Sequence, residues 1–97
     1  MTIEVISNSL TINGNFKTIS HFQEIKEVLD RMITTHNVIE LNLNDSISIT
    51  SSLIGYLNKI IHKDKILLSL KTKNMRVYTL LDDLNLERTF NVKLLRS

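Results

Sequence analysis

Hydroxyl side chains are concentrated in residues 46–52 of this chain, where five of the seven residues are serine or threonine. This segment follows an alternating apolar stretch at 38–43 and precedes an apolar stripe at helical spacing that begins at Leu53. It therefore joins the carboxyl end of a predicted strand to the start of a predicted helix, where α/β proteins commonly place functional groups. On the residues alone, the simplest role is capping, in which Ser51 or Ser52 accepts a hydrogen bond from a free amide of the first helical turn.

The other side chains capable of chemistry are dispersed. His21, His36 and His62 lie far apart, and none has a second metal ligand at a suitable spacing. Asp82 and Asp83 are adjacent on a predicted helix and point about 100° apart, which does not suit a cooperating pair of carboxylates. With only two glycines, the chain has no loop of the kind that cradles a nucleotide phosphate. We therefore expect no catalytic residue, no metal site, no cofactor and no enzymatic activity.

Charge and composition exclude several further classes of protein. Lys and Arg number 12 against 10 Asp and Glu, and the one basic cluster, 71–76, has no interleaved aromatic residues, so we expect no nucleic-acid binding. Cysteine is absent, which excludes disulfides and thiolate sites and is compatible with a reducing compartment. No apolar run approaches the roughly 20 residues that cross a bilayer. We expect a cytoplasmic protein without direct membrane insertion.

The length of 97 residues and an apolar fraction of 42% predict one α/β domain that spans residues 1–97. Alternating apolar residues predict short strands, and apolar stripes at three- and four-residue spacing predict amphipathic helices. The predicted strands are 2–5, 10–13, 38–43, 66–70 and 90–92. The predicted helices begin near Ser20, with Gln23 completing a capping box, near Ser51 and near Asn74.

The order of these elements predicts a mixed β-sheet. Strands that alternate with helices imply right-handed crossovers and parallel pairing, whereas the first two strands are joined by a short turn. Strands buried on both faces would be continuously apolar, but Asn13, Glu40, Asn42 and Ser69 interrupt one side of these strands. We therefore expect the helices mainly on one face of the sheet.

The hydroxyl segment resembles a motif of the STAS family, named for sulfate transporters and anti-sigma-factor antagonists. Members of that family carry a strand followed by a pattern close to Asp-Ser-Ser-Gly-Leu-Gly before an amphipathic helix. Residues 50–55, Thr-Ser-Ser-Leu-Ile-Gly, align with it position by position, with Thr50 in place of the Asp and Leu53 in place of the first Gly. Residues 10–16 look like the second strand of the family and its following glycine. Residues 77–92 look like its terminal helix and the leucine-rich turn before a final aromatic residue.

This resemblance implies a STAS-like domain that acts by reversible protein binding in a partner-switching pathway. In the antagonist branch of the family, an anti-sigma factor that is also a kinase phosphorylates the second serine of the motif. The resemblance places that phosphorylation site on Ser52, with Ser51 and Thr50 as lesser candidates. A phosphate at a helix start is stabilised by free backbone amides and the helix dipole, so its charge would act on a docked partner rather than on the fold.

The expected partners are a serine kinase or anti-sigma-type regulator, which phosphorylation releases, and a serine phosphatase, which resets the chain. The expected partner-binding residues surround the start of the second helix. They are Asn44, Asp45, Ser46, Ser48, Ser51, Ser52 and Tyr56.

Two alternatives use the same residues differently. The chain could be a STAS domain that never switches, serving as a fixed subunit of a stress-sensing assembly or a lipid-transport system, and Thr50 and Leu53 favour this alternative. A small enzyme is the other alternative, but the sequence offers no convergent set of nucleophile, base and orienting residue.

Overall fold

The computed structural model describes residues 1–15, 18–44, 46 and 49–95 of the chain. Five strands and three helices lie within this described part. In chain order they are β1 (Thr2–Ile6), β2 (Ser9–Asn13), α1 (Ile19–Met32), β3 (Val38–Leu43), α2 (Ser51–His62), β4 (Leu67–Thr72), α3 (Met75–Asp83) and β5 (Val92–Leu94).

The strands form one mixed sheet, as the sequence predicts, and their order in it is β1-β2-β3-β4-β5. β1 and β2 form an antiparallel hairpin, and Ser7 in its turn has a φ of 54°. The pairs β2–β3, β3–β4 and β4–β5 are parallel, and one helix connects each pair. Because each crossover steps to the next strand in the same direction, right-handed connections place all three helices on the same face of the sheet.

Burial along the strands follows this one-sided arrangement. In β3 and β4 every second residue is buried, and the register aligns Leu41 with Leu70 and Leu43 with Thr72 on the covered face. The buried residues of the helices and of this face form a single core. On the open face, Glu40 and Lys71 form a salt bridge of 2.7 Å. The α/β class and the mixed sheet are therefore confirmed.

The capping residues of α1 and α2 differ from the sequence expectation, whereas α2 begins at Ser51 as predicted. α1 begins at Ile19 because Thr18, rather than Ser20, is the N-cap and accepts a 3.2 Å hydrogen bond from the His21 N–H. The predicted capping box at Ser20 is therefore wrong. The N-cap of α2 is Thr50, so the prediction that Ser51 or Ser52 caps this helix is wrong too. Asn74 caps α3 as expected, accepting from the Arg76 N–H at 2.8 Å.

The last two strands are displaced from their predicted positions. β4 runs two residues further than expected because Thr72 still pairs with Leu43 of β3. The predicted strand at 90–92 begins only at Val92, since Phe90 donates its N–H to the Leu86 carbonyl at 2.9 Å and belongs to a turn. Phe90 itself is fully buried, so its apolar character signals the core rather than a strand.

No helix within the described ranges is both long enough and apolar enough to span a bilayer.

Candidate functional site

The start of α2 is built by one capping threonine and two buried anchors. Thr50 has extended backbone angles, and its hydroxyl accepts a 3.2 Å hydrogen bond from the Leu53 N–H. Ile49 on one side of the cap is buried, and Leu53 in the first turn is fully buried. The apolar anchors fix where the helix begins, and the threonine satisfies one of its free amides.

The serines that follow Thr50 face solvent. Ser51 and Ser52 are the first two residues of α2, and both are exposed. The Ser52 side chain has no hydrogen-bond partner among the described residues. Thr50 accepts the capping hydrogen bond, so the described part of the helix start does not depend on the Ser52 hydroxyl. This hydroxyl is exposed and therefore accessible to another protein.

Two described residues between β3 and α2, Asn44 and Ser46, are bonded to the end of β2. Asn44 donates its backbone N–H to the Ile12 carbonyl at 3.3 Å, and its side-chain amide lies 3.4 Å from Asn13 Oδ1. Ser46 is buried, and its hydroxyl donates to the Gly14 carbonyl at 2.8 Å. These contacts hold Asn44 and Ser46 beside the end of β2.

The structure therefore assigns different positions to the residues expected to bind a partner. Ser51 and Ser52 are exposed, Asn44 is half-buried, and Ser46 and Tyr56 are buried with their hydroxyls engaged in internal hydrogen bonds. Asp45 and Ser48 lie outside the described residues. The participation of all seven residues in a partner interface stays a prediction.

One turn after Ser52, Tyr56 joins α2 to α1. Its hydroxyl donates a hydrogen bond to Asp30 Oδ1, and Asp30 Oδ2 accepts from Lys26 Nζ at 3.0 Å. The Phe22 and Tyr56 rings meet edge to face with 6.5 Å between their centroids. Lys26 and Lys59 place their ammonium groups 5.6 and 5.8 Å from the centre of the Tyr56 ring. These distances suit cation–π attraction.

These contacts shift two ionisation equilibria in opposite directions. Burial raises the pKa of the Tyr56 phenol above its usual 10.0, and the hydrogen bond to the Asp30 carboxylate raises this pKa further. For Asp30, desolvation acts to raise the pKa, but hydrogen bonds from Tyr56 and Lys26 and the nearby ammonium charges outweigh it. The pKa of Asp30 therefore lies below its usual 3.8. At neutral pH a neutral phenol donates to an ionised carboxylate.

The sequence indicates only part of this cluster. Lys26 and Asp30 stand four residues apart, which is the spacing of a helical ion pair, so their contact was predictable. The link from Tyr56 to Asp30 joins residues that are 26 positions apart, and it depends on how α2 packs against α1. No local signal in the sequence identifies that contact.

Among the described residues around the α2 start, no serine–base pair and no metal-binding cluster is present. No hydrogen bond pairs Ser51 or Ser52 with a general base in the described part of the chain. Nor does any group of three or more histidine or acidic side chains there form a metal site. What this region offers is an exposed hydroxyl on the first turn of a well-anchored helix.

Comparisons with models of protein families, with curated proteins and with solved structures found no match to this chain.

Proposed function

We propose that this chain is a non-enzymatic, protein-binding regulatory domain of the STAS type, and that reversible phosphorylation of Ser52 switches its partner contact. The observation that carries the proposal is the position of Ser52, exposed in the first turn of a helix whose cap is supplied by Thr50. Its hydroxyl is free to be modified without loss of a hydrogen bond described in the fold.

The electrostatics of the α2 start support a phosphate at this position. The first turn of α2 contains no acidic residue, so a phosphoryl group would meet no carboxylate of its own turn. Free backbone amides and the positive end of the helix dipole stabilise an anion there. A phosphate brings about −1.5 to −2 charges at neutral pH. The fold tolerates this charge, whereas a partner seated over Ser52 would have to desolvate it.

The resemblance to the STAS family supports the same assignment. Residues 50–55, which align with the family motif, include the cap and first turn of α2. The leucine-rich turn near Leu86 leads to a buried aromatic residue, Phe90, as the resemblance implies. In this proposal, a serine kinase or anti-sigma-type regulator binds the unmodified chain, phosphorylation of Ser52 releases it, and a serine phosphatase restores binding.

Mass spectrometry tests the modification directly. The full chain, incubated with ATP and a lysate of its source cells, should gain the mass of one phosphate. Ser52→Ala should abolish this gain, and Ser51→Ala should retain it. An adduct that persists in Ser52→Ala, or no adduct on the wild-type chain, contradicts the site assignment.

The switch is tested by a negative charge at Ser52, and a negative charge at the matching position of α1 serves as the control. Ser20 is the second residue of α1, is exposed, and follows a threonine cap, as Ser52 does in α2. Once a binding partner has been isolated with the unmodified chain, Ser52→Asp should weaken its affinity by about tenfold or more through desolvation and repulsion. Ser20→Asp should leave the affinity unchanged.

The partner affinity of Ser52→Asp also distinguishes a switching domain from a fixed subunit of a larger complex. A STAS subunit that never switches, in a stress-sensing or lipid-transport complex, predicts full affinity for Ser52→Asp. The departures at Thr50 and Leu53 from the family motif favour that second function. If wild type, Ser52→Asp and Ser20→Asp bind the partner with equal affinity, the proposed switch is wrong and the fixed-subunit function is supported.

A further inference from the structure

The sheet has two edges, β1 and β5, and the backbone of β5 presents hydrogen-bonding groups away from the sheet. Leu70 donates its N–H to the Asn91 carbonyl at 3.3 Å, and Leu95 donates to the Thr72 carbonyl at 2.7 Å. Because bonding directions alternate along a strand, the peptide groups of residues 92 and 94 point outward. The Val92 N–H is already bonded to the Glu87 carbonyl at 2.9 Å. Among the described residues, the Leu94 N–H and C=O and the Val92 C=O are the groups left for a neighbouring strand.

An apolar groove runs beside this edge, between β5 and α3. It has a volume of about 520 Å³ and is lined by Met75, Tyr78, Val92, Leu94 and Leu95, together with Lys93. Met75 is 58% exposed, although methionine is a side chain that usually lies in a core. A strand added to β5 would direct every second side chain into this groove, since side chains alternate between the two faces of a sheet.

The charged side chain that lines the groove, Lys93, is basic. Lys93 points to the open face of the sheet, in register with Lys71, whose own charge is paired with Glu40. Lys73 and Arg76 lie on either side of Met75 in the sequence, and both are exposed. In the described ranges, no carboxylate lies within salt-bridge distance of Lys93, Lys73 or Arg76. An occupant of this edge would therefore gain from negative charge.

We propose that β5 binds an extended acidic segment of a partner protein, which adds to the sheet as a sixth strand. The segment alternates apolar and acidic residues. Its apolar side chains enter the groove against Met75 and Leu94, and its acidic side chains lie beside Lys93 on the open face. Main-chain hydrogen bonds to residues 92 and 94 hold the segment, as in other complexes formed by strand addition.

The opposite edge does not offer the same combination. The groove beside β1 is lined by apolar Val5, Val28 and Met32 with Arg31, but β1 itself carries the exposed carboxylate of Glu4. The side chain of Glu4 lies on the open face, in register with Thr11, where the acidic residues of an added strand would also lie. Like charges on adjacent strands destabilise pairing. The charge distribution therefore favours β5 for an acidic segment.

A blocked peptide of alternating residues, Glu-Val-Glu-Val-Glu-Val-Glu, is the probe for this site. Isothermal titration calorimetry with the full chain should detect binding that weakens as salt is raised. Two controls separate strand addition from charge attraction. The first control, the peptide Glu-Glu-Val-Val-Val-Glu-Glu, has the same composition without the alternation. The second control is the alternating peptide N-methylated at every second residue, which keeps the side chains but removes the backbone donors on one edge. Both controls should bind at least about tenfold more weakly, because each removes contacts of the added strand.

Hydrogen exchange and substitution locate the contact. Binding should slow exchange of the Leu94 amide, which points away from β4. Leu94→Pro removes that outward donor and should reduce affinity more than Leu94→Ala, which removes the side chain alone. Lys93→Glu should weaken binding by about tenfold, whereas Lys63→Glu, the same charge change at the end of α2, should not.

Three outcomes would overturn the proposal. The first is equal affinity for the alternating peptide and both controls, which would indicate general attraction of anions. The second is unchanged affinity in Lys93→Glu together with unchanged exchange at Leu94. The third is a dimer of the chain that Leu94→Pro disrupts, which would make a second copy the occupant of this edge. Since Ser52 takes no part in this site, Ser52→Asp should bind the peptide like wild type whatever the fate of the proposed switch.

Discussion

At the scale of single residues, Thr50 and Ser52 carry the same hydroxyl group two positions apart, yet the helix uses them differently. The Thr50 oxygen accepts from the Leu53 N–H, whereas the Ser52 side chain has no partner among the described residues. A helix needs only a few acceptors at its start, and the residue just before the first turn has the best geometry to provide one. The proposed modification of Ser52 would therefore not compete with the cap at Thr50.

Tyr56→Phe should lower the free energy of unfolding by about 1–2 kcal/mol near neutral pH. The substitution keeps the ring and its contacts with Phe22 but removes the hydroxyl that donates to ionised Asp30. A hydrogen bond to a charged group contributes more than a neutral one, but the Asp30 side chain is 42% exposed, and solvent screening reduces its contribution. Urea unfolding of both proteins measures the difference.

The pH dependence of that difference follows from the two pKa shifts. The pKa of Asp30 is lowered on folding, so its stabilisation is present above about pH 4 and is lost as pH falls through its folded value. The pKa of Tyr56 is raised on folding, so its stabilisation is present below about pH 10 and is lost as pH rises further. The advantage of wild type over Tyr56→Phe should therefore be greatest between these limits and should shrink on both sides.

Tyr78→Phe is the matched control for this experiment. Tyr78 is half-buried, and its hydroxyl has no hydrogen-bond partner among the described residues. Its removal should change stability by no more than about 0.5 kcal/mol at any pH tested. Equal effects of the two substitutions would contradict the role assigned to the bond between Tyr56 and Asp30.

At the scale of elements, α2 contains a glycine that its own packing does not require. Gly55 lies inside the helix and is exposed, and a methyl group built at its Cα would have no atom within 4 Å among those surrounding it. Glycine weakens a helix because it loses more backbone freedom on folding than alanine does. The other glycine, Gly14, has a φ of +93° and lies next to Met1, so its backbone conformation does require glycine.

Substitution by alanine should therefore have opposite effects at the two glycines. Gly55→Ala should raise the free energy of unfolding by about 0.5–1 kcal/mol, since it favours the helix and meets no steric obstacle. Gly14→Ala should lower it by about 1 kcal/mol or more, because an L side chain is strained at this φ and its Cβ would lie 3.3 Å from Met1 Cα. Thermal and urea unfolding measure both, and destabilisation by Gly55→Ala would contradict the structure of α2.

At the scale of the whole molecule, the sheet divides the protein into a core on one side and an open polar face on the other. Asn42 on the open face donates to Ser9 and Thr11 at 3.0 and 3.2 Å, so strands that are distant in sequence are linked there by side chains as well as by backbone bonds. The same face also leaves two apolar side chains exposed, those of Val38 and Leu67, which are paired across β3 and β4.

This division makes a strong prediction for two leucines in adjacent strands. Leu41 is fully buried in β3, whereas Leu67 in β4 is 68% exposed on the open face. Leu41→Ala should cost about 2–5 kcal/mol through lost burial and a cavity, a large part of the roughly 5–15 kcal/mol that stabilises a domain of this kind. Leu67→Ala should change stability by less than about 0.5 kcal/mol. Comparable losses measured by urea denaturation would mean that both faces of the sheet are covered.

The two proposed binding regions lie on different elements. Ser52 is at the start of α2, and the acidic-segment site lies between α3 and the outer edge of β5. Neither region uses a residue of the other. A charge at Ser52 is therefore expected to alter one partner contact and to leave the other unchanged.

The sequence by itself determined the α/β class, the mixed sheet and the buried side of β2, β3 and β4. These properties follow from apolar periodicity, which reports directly which side chains avoid water. It also located Asn74 as a cap and β3 at its observed bounds, because local hydrogen bonding and alternation are contained in a few neighbouring residues.

Only the tertiary structure decided which of several adjacent hydroxyls caps a helix, where β4 and β5 begin and end, and what Tyr56 contacts. Thr18 and Thr50 have extended backbone angles and accept hydrogen bonds from first-turn amides, and Thr72 joined β4 because Leu43 lies beside it. The pairing of Tyr56 with Asp30, and the free edge of β5 beside α3, depend on elements brought together by the fold. Contacts of this kind join residues far apart in the chain, so short-range patterns carry no information about them.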